Sequence, residues 1–275
     1  MPRMLLFRSL RSGSSGNLLL LESLRGRGAT RLLIDCGIAA QRECLRILEE
    51  EAGLGRPIDA LLVTHAHGDH LSYAGLRVMT RLKVPIYAHT HTRRELGHRL
   101  LAPHRLPASL APGDFHFRLF GEEPFAIGPF TVKPLPVPHA PGVTTHAFRI
   151  RHGATRLLIA SDFHDPEAVI PHIYDCDFIY LESNHDPELL RLHFNPASLY
   201  HLSNPTAGLL LRHAWDASRR TPATVVLGHL SQERNRPEIA LATVRDALVR
   251  GGDSAPPKLV AAPRHAAGDV VVIQD

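Results

Sequence analysis

The chain has 275 residues, of which 44% are hydrophobic and 21% are charged, with a formal net charge of +4. These proportions are typical of a globular protein that buries its own core, and they exclude disordered and fibrous chains. The apolar runs are far shorter than the roughly 18 residues that a membrane span needs, so we expect no membrane segment. The 3 cysteines form no C-x-x-C pair, which indicates packing residues and excludes a disulfide framework.

Strand and helix patterns alternate in the amino-terminal half. Residues 1–7 combine a short apolar run with a basic residue and lack a small-residue cleavage site, which predicts a first strand and a cytoplasmic protein. Short runs rich in Val, Ile and Leu predict buried strands over Leu32 to Ile34 and Ile58 to Val63. Helical spacing of apolar residues predicts helices over Ala39 to Glu51, Leu71 to Arg81 and Thr92 to Leu101.

The remaining chain begins with a region rich in Pro and Gly, residues 107–159, which predicts antiparallel strands and hairpins. We expect strands over Val132 to Val137, Thr145 to Arg151, Leu157 to Ala160, Asp177 to Leu181 and Thr224 to Leu227. Helices that begin with proline are expected over Pro187 to Leu192, Pro205 to Ala217 and Pro237 to Val249. Because no linker divides these two strand-and-helix halves, we predict one α/β (α+β) domain over residues 1–275, a four-layer sandwich of helix, sheet, sheet and helix.

A dense group of polar residues follows the strand predicted to end at Val63: His65, His67, Asp69 and His70. Such crowding costs desolvation and repulsion, whereas a bound cation makes it favourable. Two residues apart on an extended chain, His65 and His67 can face one ion. Asp69 and His70 lie beyond the bend and can face a second ion. A histidine-rich surface loop is the alternative, and the spacing at a strand end favours metal.

This H-x-H-x-D-H pattern resembles the signature of the metallo-β-lactamase superfamily, and the resemblance implies further residues at later strand ends. It implies His139 as the third imidazole of the first ion, with His146 and His152 as the alternatives. It implies Asp162, or alternatively Asp165, as a carboxylate that bridges both ions.

Two more positions fit the same resemblance. His229, after a late strand, would complete the second ion together with Asp69 and His70. Asp35, after an early strand, would accept a hydrogen bond from a metal-bound imidazole and fix its orientation. The alternative for Asp35 is an ordinary turn carboxylate before Gly37.

Segments outside the ligands resemble the small single-domain bacterial branch of the superfamily that includes YycJ or WalJ proteins, which is associated with 5′-to-3′ DNA exonuclease activity. The matching segments are Ser12 to Asn17, Leu181 to Asp186, His201 to Asn204 and Gly228 to Pro237. The chain between Asp162 and His229 is too short for the large inserted domain of the RNA-processing and DNA-crosslink-repair nucleases. In this branch Asn is usual at the position of Arg234.

These segments also contain small and polar donors that suit phosphate oxygens. The candidate substrate-binding residues are Ser14, Ser15, Asn17, Asn184, Ser231 and Asn235. A tight turn is the alternative for the first three, and helix capping is the alternative for Asn184 and Asn235. His185 and His201 are candidates for protonating a leaving oxygen. Together with Asp35 they are the predicted catalytic residues.

The sequence therefore predicts a hydrolase with two divalent metal ions, zinc in the first place, with manganese and iron as alternatives. Two such ions share a bridging hydroxide at neutral pH, which favours a phosphodiesterase, and we expect DNA as the partner and a 5′-to-3′ exonuclease activity. A hydrolase of a thioester, lactone or cyclic phosphodiester is the second hypothesis. A non-catalytic metal-binding module is the third. The oligomeric state is not indicated.

Overall fold

The computed structural model describes residues 3–26, 28–53, 56–101, 114–249 and 256–273, which form two seven-stranded sheets. The first sheet contains β1 (Arg3–Arg11), β2 (Leu18–Arg25), β3 (Gly28–Ile34), β4 (Ala60–Leu62), β5 (Ile86–His89), β6 (Phe117–Phe120) and β14 (Val271–Ile273). The second contains β7 (Phe125–Ile127), β8 (Phe130–Val137), β9 (Thr145–His152), β10 (Thr155–Ala160), β11 (Phe178–Glu182), β12 (Thr224–Gly228) and β13 (Lys258–Ala261).

Strand order places parallel strands in one half of each sheet. The first sheet runs β14-β1-β2-β3-β4-β5-β6, with parallel pairing from β3 to β6. The second runs β13-β12-β11-β10-β9-β8-β7, with parallel pairing from β10 to β13. Parallel strands end at a common edge of their sheet. The residues that follow β3 and β4 are therefore neighbours at one edge of the first sheet, and those that follow β10, β11 and β12 are neighbours at one edge of the second.

Helices cover the outer faces of both sheets. Those of the first half are α1 (Gln41–Arg46), which continues as a π-helix (Ile47–Glu51), α2 (Tyr73–Arg81) and α3 (Thr90–Leu100). Those of the second half are α4 (Ile170–Ile173), α5 (Pro187–Leu192), α6 (Asn204–Ala217) and α7 (Pro237–Val249). Short 3-10 helices lie at Pro166–Ala168 and Pro196–Tyr200. None of the described helices is long and apolar enough to cross a membrane.

Three apolar cores define four layers. In the first core, side chains of the first sheet such as Leu61 pack against helix residues such as Val78. A middle core, which includes Phe7 and Phe178 with ring centroids 4.6 Å apart, fills the space between the sheets. The third core joins the second sheet to helices α6 and α7 through residues such as Leu211 and Val244. The predicted order of helix, sheet, sheet and helix is thus confirmed.

Most predicted elements are present, with differences at their ends. The helix predicted from Ala39 begins at Gln41 and changes to a π-helix at Ile47. The strand predicted from Ile58 is only Ala60–Leu62. Of the Pro- and Gly-rich region, residues 107–113 lie outside the described residues. Edge strands β6 and β7 were not predicted individually, because their partly exposed residues give no continuous apolar run.

Candidate metal centre

The candidate centre is built from turns that follow buried strands. Asp35 follows β3, Asp162 follows β10 and His229 follows β12. All three have left-handed backbone conformations, with φ of 60°, 59° and 52°. Most non-glycine residues in this region cost roughly 1–2 kcal/mol, and Asp costs less because its short side chain hydrogen-bonds locally. The chain therefore accepts backbone strain at the three strand ends where it turns side chains towards the space between the sheets.

Three histidines converge in the first group: His65, His67 and His139. Nε2 of His139 lies 3.3 Å from Nδ1 of His67, and the rings of His65 and His139 are 5.2 Å apart. His139 donates from Nδ1 to the carbonyl of Tyr200 at 3.0 Å, which leaves its Nε2 with a lone pair. Nε2 of His65 is buried and has no hydrogen-bond partner among the described residues, as expected for an atom that faces a cation.

The second group joins Asp69, His70 and His229. Oδ2 of Asp69 lies 3.3 Å from Nε2 of His229 and 3.6 Å from Nε2 of His70. Asp162 lies against both groups, since its carboxylate is 3.0 Å from Nε2 of His70, 3.5 Å from Nε2 of His229 and 3.9 Å from Nε2 of His139. The structure thus brings together all seven predicted ligands and puts Asp162 between the two groups.

The electrostatics of the two groups differ and together suit cations. Burial lowers the pKa of His65 well below its usual value, so this imidazole is neutral and able to ligate. Burial alone would raise the pKa of Asp162, but His229 and His70 outweigh it and hold this pKa well below its usual value. A buried carboxylate of this kind needs positive charge beside it. The mixed nitrogen and oxygen donors fit divalent ions such as zinc, manganese or iron.

Asp35 supports the centre from behind. Its Oδ2 accepts from Nδ1 of His70 at 2.7 Å, and its Oδ1 accepts from the backbone N–H of Thr64 at 2.9 Å. The hydroxyl of Thr64 also donates to Asp35, at 2.9 Å. With its proton held on Nδ1, His70 would present the lone pair of Nε2 to a bound ion, which is the role that the resemblance implies for Asp35.

Glu182 is a buried carboxylate that the sequence analysis did not assign. Its Oε1 accepts from Nδ1 of His201 at 2.5 Å and from Nδ1 of His229 at 3.1 Å, and its Oε2 accepts from the backbone of Phe163 at 3.1 Å. Glu182 is fully buried and ends β11, the strand between β10 and β12. Like Asp162 and His229, which the family resemblance implied, it is an ionisable side chain at the end of a buried strand, but only the order of the strands shows that it lies beside them.

An open cavity of about 260 Å³ lies over both groups. Three of the predicted substrate-binding residues, Ser14, Asn184 and Ser231, line it, and so does the predicted catalytic residue His201. Arg234 also lines it and was not predicted to do so. The remaining walls include Ala140, Asn195, Ala197, Ser198 and Tyr200.

Four other predicted residues are not among those that line this cavity. Asn17 is buried and joins Gly13 to Asp69 through its amide, at 2.8 and 3.1 Å. Asn235 is buried and donates to the carbonyl of Ser183 at 2.8 Å. These amides hold loops together, which favours the turn interpretation for Asn17 and a structural role for Asn235.

Ser15 and His185 are the remaining two. Ser15 is exposed on the loop after β1. The imidazole of His185 is buried, and its Nδ1 has no hydrogen-bond partner among the described residues. The alternative cap predicted for Asn184 is taken by Asp186, which accepts from the first turn of α5.

The alternative ligands lie elsewhere. Asp165 caps a 3-10 helix by accepting from the backbone of Glu167 at 3.0 Å. His152 contacts the hydroxyl of Ser23 at 2.7 Å, and His146 lies on β9 beside His89. The geometry therefore favours His139 and Asp162 over these alternatives.

The chain is similar in sequence and in fold to several known proteins. The chain is 24% identical over 251 residues to the exodeoxyribonuclease WalJ of Streptococcus pneumoniae, covering 88% of this chain and 87% of that protein. The crystal structure of the metallo-β-lactamase fold protein YhfI from Bacillus subtilis has a TM-score of 0.70 at 19% identity, with 98% of this chain and 99% of that chain covered. A diphosphatase from the PhnP family has a TM-score of 0.66 at 16% identity, with 99% of both chains covered.

The match to a family model decides the classification. The model of the beta-lactamase superfamily domain matches residues 30–229. This range is more than half of the chain and contains all seven predicted ligands from His65 to His229. The chain belongs to the beta-lactamase superfamily and resembles its WalJ-like branch.

Proposed function

We propose that this chain is a two-metal phosphodiesterase that acts on nucleic acid, as a 5′-to-3′ DNA exonuclease. The observation that carries the proposal is the position of Asp162, whose carboxylate contacts ligands of both groups beneath an open cavity that contains Arg234. The similarity to WalJ over 88% of the chain supports the choice of DNA.

The proposed ligands of the first ion are His65, His67 and His139, those of the second are Asp69, His70 and His229, and Asp162 is shared. Bound there, divalent ions such as zinc supply hydroxide at neutral pH and neutralise charge that grows on phosphate oxygens. The chain itself orients the phosphate, holds the proton donor and keeps the imidazoles in the correct tautomer.

His201 is the proposed proton donor to the departing 3′ oxygen. Its Nδ1 is held by Glu182 at 2.5 Å, and its ring lies 4.9 Å from that of His139, at the wall of the cavity. Because Glu182 fixes Nδ1, the opposite nitrogen Nε2 is the one that exchanges a proton with substrate. Glu182 also holds His229, so one carboxylate positions a proposed ligand and a proposed acid together.

Arg234 and its neighbours form the proposed seat for a phosphate. The guanidinium donates to the hydroxyl of Ser231 at 3.4 Å and to the carbonyl of His193 at 2.7 Å, which fixes it at the cavity wall. Ser14 and Asn184 bring further donors to the same cavity. An arginine with several donors binds phosphate oxygens well, so a 5′-terminal phosphate is the group that we place here.

The test is digestion of linear DNA by the purified protein supplied with zinc or manganese. We expect release of nucleotides from 5′-phosphorylated ends, with binding that weakens as salt rises, because each neutralised phosphate releases counterions. His201→Ala should slow cleavage by up to about 10²–10⁴-fold while metal content stays unchanged. His116→Ala, which removes an exposed imidazole that does not line the cavity, is the matched control and should retain full activity.

A different outcome would favour a small-molecule hydrolase. If linear DNA and RNA survive while a thioester, a lactone or a cyclic phosphodiester is consumed, the nuclease proposal is wrong and the metal centre serves another substrate. The cyclic phosphodiester is the first of these substrates to try, because it presents phosphate oxygens to Arg234 at the cavity wall.

A further inference from the structure

A second cluster of metal-binding side chains lies outside the centre described above. It contains His89 at the end of β5, His146 on β9 and Glu122 in the turn after β6. Nε2 of His89 lies 3.3 Å from Oε1 of Glu122, and Nε2 of His146 lies 3.6 Å from the same oxygen. The ligand atoms of all three residues lie within 4.8 Å of one another. These distances suit three donors around one small cation.

His146 is the residue that calls for an explanation. Its side chain is 1% exposed, and neither ring nitrogen has a hydrogen-bond partner among the described residues. A buried polar atom without a partner costs roughly 1–3 kcal/mol. Burial lowers the pKa of His146 to about 4, so the ring is neutral at physiological pH and carries a free lone pair. The neutral form is the one in which an imidazole binds a metal ion, and Nε2 of His146 faces the Glu122 carboxylate, a second possible ligand.

Hydrogen bonding alone accounts for only part of the cluster. His89 caps α3, where its Nδ1 accepts from the backbone of His91 at 3.3 Å, and its Nε2–H can then donate to Glu122. That arrangement partners His89 but leaves both nitrogens of His146 unpaired. A cation instead engages His89, His146 and Glu122 together. When Nε2 of His89 offers its lone pair to a cation, the proton of the ring lies on Nδ1. Nδ1 then no longer accepts from the backbone of His91, which costs about 1 kcal/mol.

We infer that His89, Glu122 and His146 bind a divalent transition-metal ion, zinc being the best match, with a further position open to water. Two imidazoles and one glutamate are an established donor set for zinc. The ring of Phe120 lies 5.8 Å from His89 and 6.0 Å from His146, so an apolar side chain borders the cluster.

Its position suggests a structural role. His89 belongs to the first sheet and His146 to the second, and Glu122 lies in the connection between β6 and β7. An ion at this point ties the two sheets together at one end of the sandwich. A site of this kind binds only the folded chain, so zinc stabilises the protein by an amount that rises with the logarithm of its concentration relative to Kd.

Glu122 offers the cleanest test because it is 57% exposed and its loss should not disturb folding. We would compare Glu122→Gln with Glu123→Gln, an exposed neighbour, after dialysis against micromolar zinc, and count bound zinc by mass spectrometry. We expect Glu122→Gln to bind about one ion fewer per chain than the wild type, and Glu123→Gln to match the wild type. Equal zinc in all three proteins would overturn the inference.

A second measurement separates this site from the main centre. In an Asp162→Asn background, which weakens the main centre, zinc should still raise the melting temperature, and adding Glu122→Gln should make that increase smaller. Cobalt substitution should likewise give a visible absorption band in Asp162→Asn that weakens when His146→Gln is added. If Glu122→Gln leaves the zinc-dependent increase unchanged and His146→Gln leaves the cobalt band unchanged, the cluster does not bind metal.

Discussion

Replacing Asp35 by Asn tests how the fold prepares His70 for ligation. The carboxylate accepts from Nδ1 of His70 at 2.7 Å and from both the backbone N–H and the hydroxyl of Thr64. Asparagine has one acceptor oxygen, and keeping the bond to the backbone of Thr64 turns its NH₂ towards His70. Two donors then face each other, unless His70 moves its proton to Nε2, the atom that faces Asp69 and Asp162.

The expected loss of metal affinity follows from breaking the hydrogen bond between Asp35 and His70. A hydrogen bond to a charged group contributes about 1.5–3 kcal/mol, and at 1.36 kcal/mol per factor of ten this is roughly a 10- to 150-fold effect. We therefore expect metal affinity and kcat/KM on linear DNA to fall by about 10–100-fold, the usual scale for such supporting contacts. The fold should be preserved, because Asn tolerates the left-handed φ of 60° at this position, and the fall in melting temperature should reflect the lost hydrogen bond alone.

Matched variants separate tautomer control from backbone strain. Asp175 also has a left-handed φ, of 55°, and accepts from the backbone of Arg219 and Arg220, away from the centre, so Asp175→Asn should leave metal binding unchanged. Asp35→Ala adds strain of about 1–2 kcal/mol and should lower the melting temperature as well as metal affinity. Affinity is measured by competition with a chromophoric chelator. Wild-type affinity in Asp35→Asn would refute the reasoning and make Asp35 a turn residue.

Three further results are expected. Asp162→Ala should reduce metal content at both groups, because its carboxylate contacts both, and a variant with full metal content by elemental analysis would contradict a shared ligand. Glu182→Gln should slow turnover by about 10²-fold or more with part of the metal retained, since it replaces the charged partner of His201; unchanged single-turnover rates would remove Glu182 from the site. Cys176 is buried and burial raises its pKa to about 12, so Ellman's reagent should not label it in the native protein at pH 8 and should label it after unfolding; rapid native labelling would show that the thiol is accessible.

The strand ends of the site could be read from the sequence because each combines a buried apolar run with a polar residue after it. This pattern located His65, and the family resemblance then implied Asp162 and His229 at later strand ends; the structure brings the three together. Glu182 ends such a strand too, but a single acid without neighbouring histidines has no distinctive spacing. Its importance depends on the position of β11 between β10 and β12, which is a property of strand order and not of local sequence.

Asparagines in loops were the least predictable residues. Asn17 and Asn184 both lie in polar loops after strands, yet Asn17 is buried in contacts to Gly13 and Asp69 while Asn184 reaches the cavity wall. An asparagine amide satisfies backbone groups as readily as it binds substrate. Which of the two an asparagine does depends on which segment of the same chain lies beside it. The segment beside Asn17 is the turn at Asp69, which is distant in sequence.

His146 illustrates the same dependence on distant parts of the chain. Its place in an alternating strand made it a poor candidate for the main centre, and the structure places its ring 4.4 Å from that of His89. The strand pattern has no information about His89, which ends a parallel strand of the other sheet, or about Glu122 in an exposed turn. Stacking two sheets face to face brings their strand ends together at more than one place. The packing that assembles the main centre therefore also assembles the smaller cluster at its side, and a sandwich of this kind has room for a structural ion without a change in its topology.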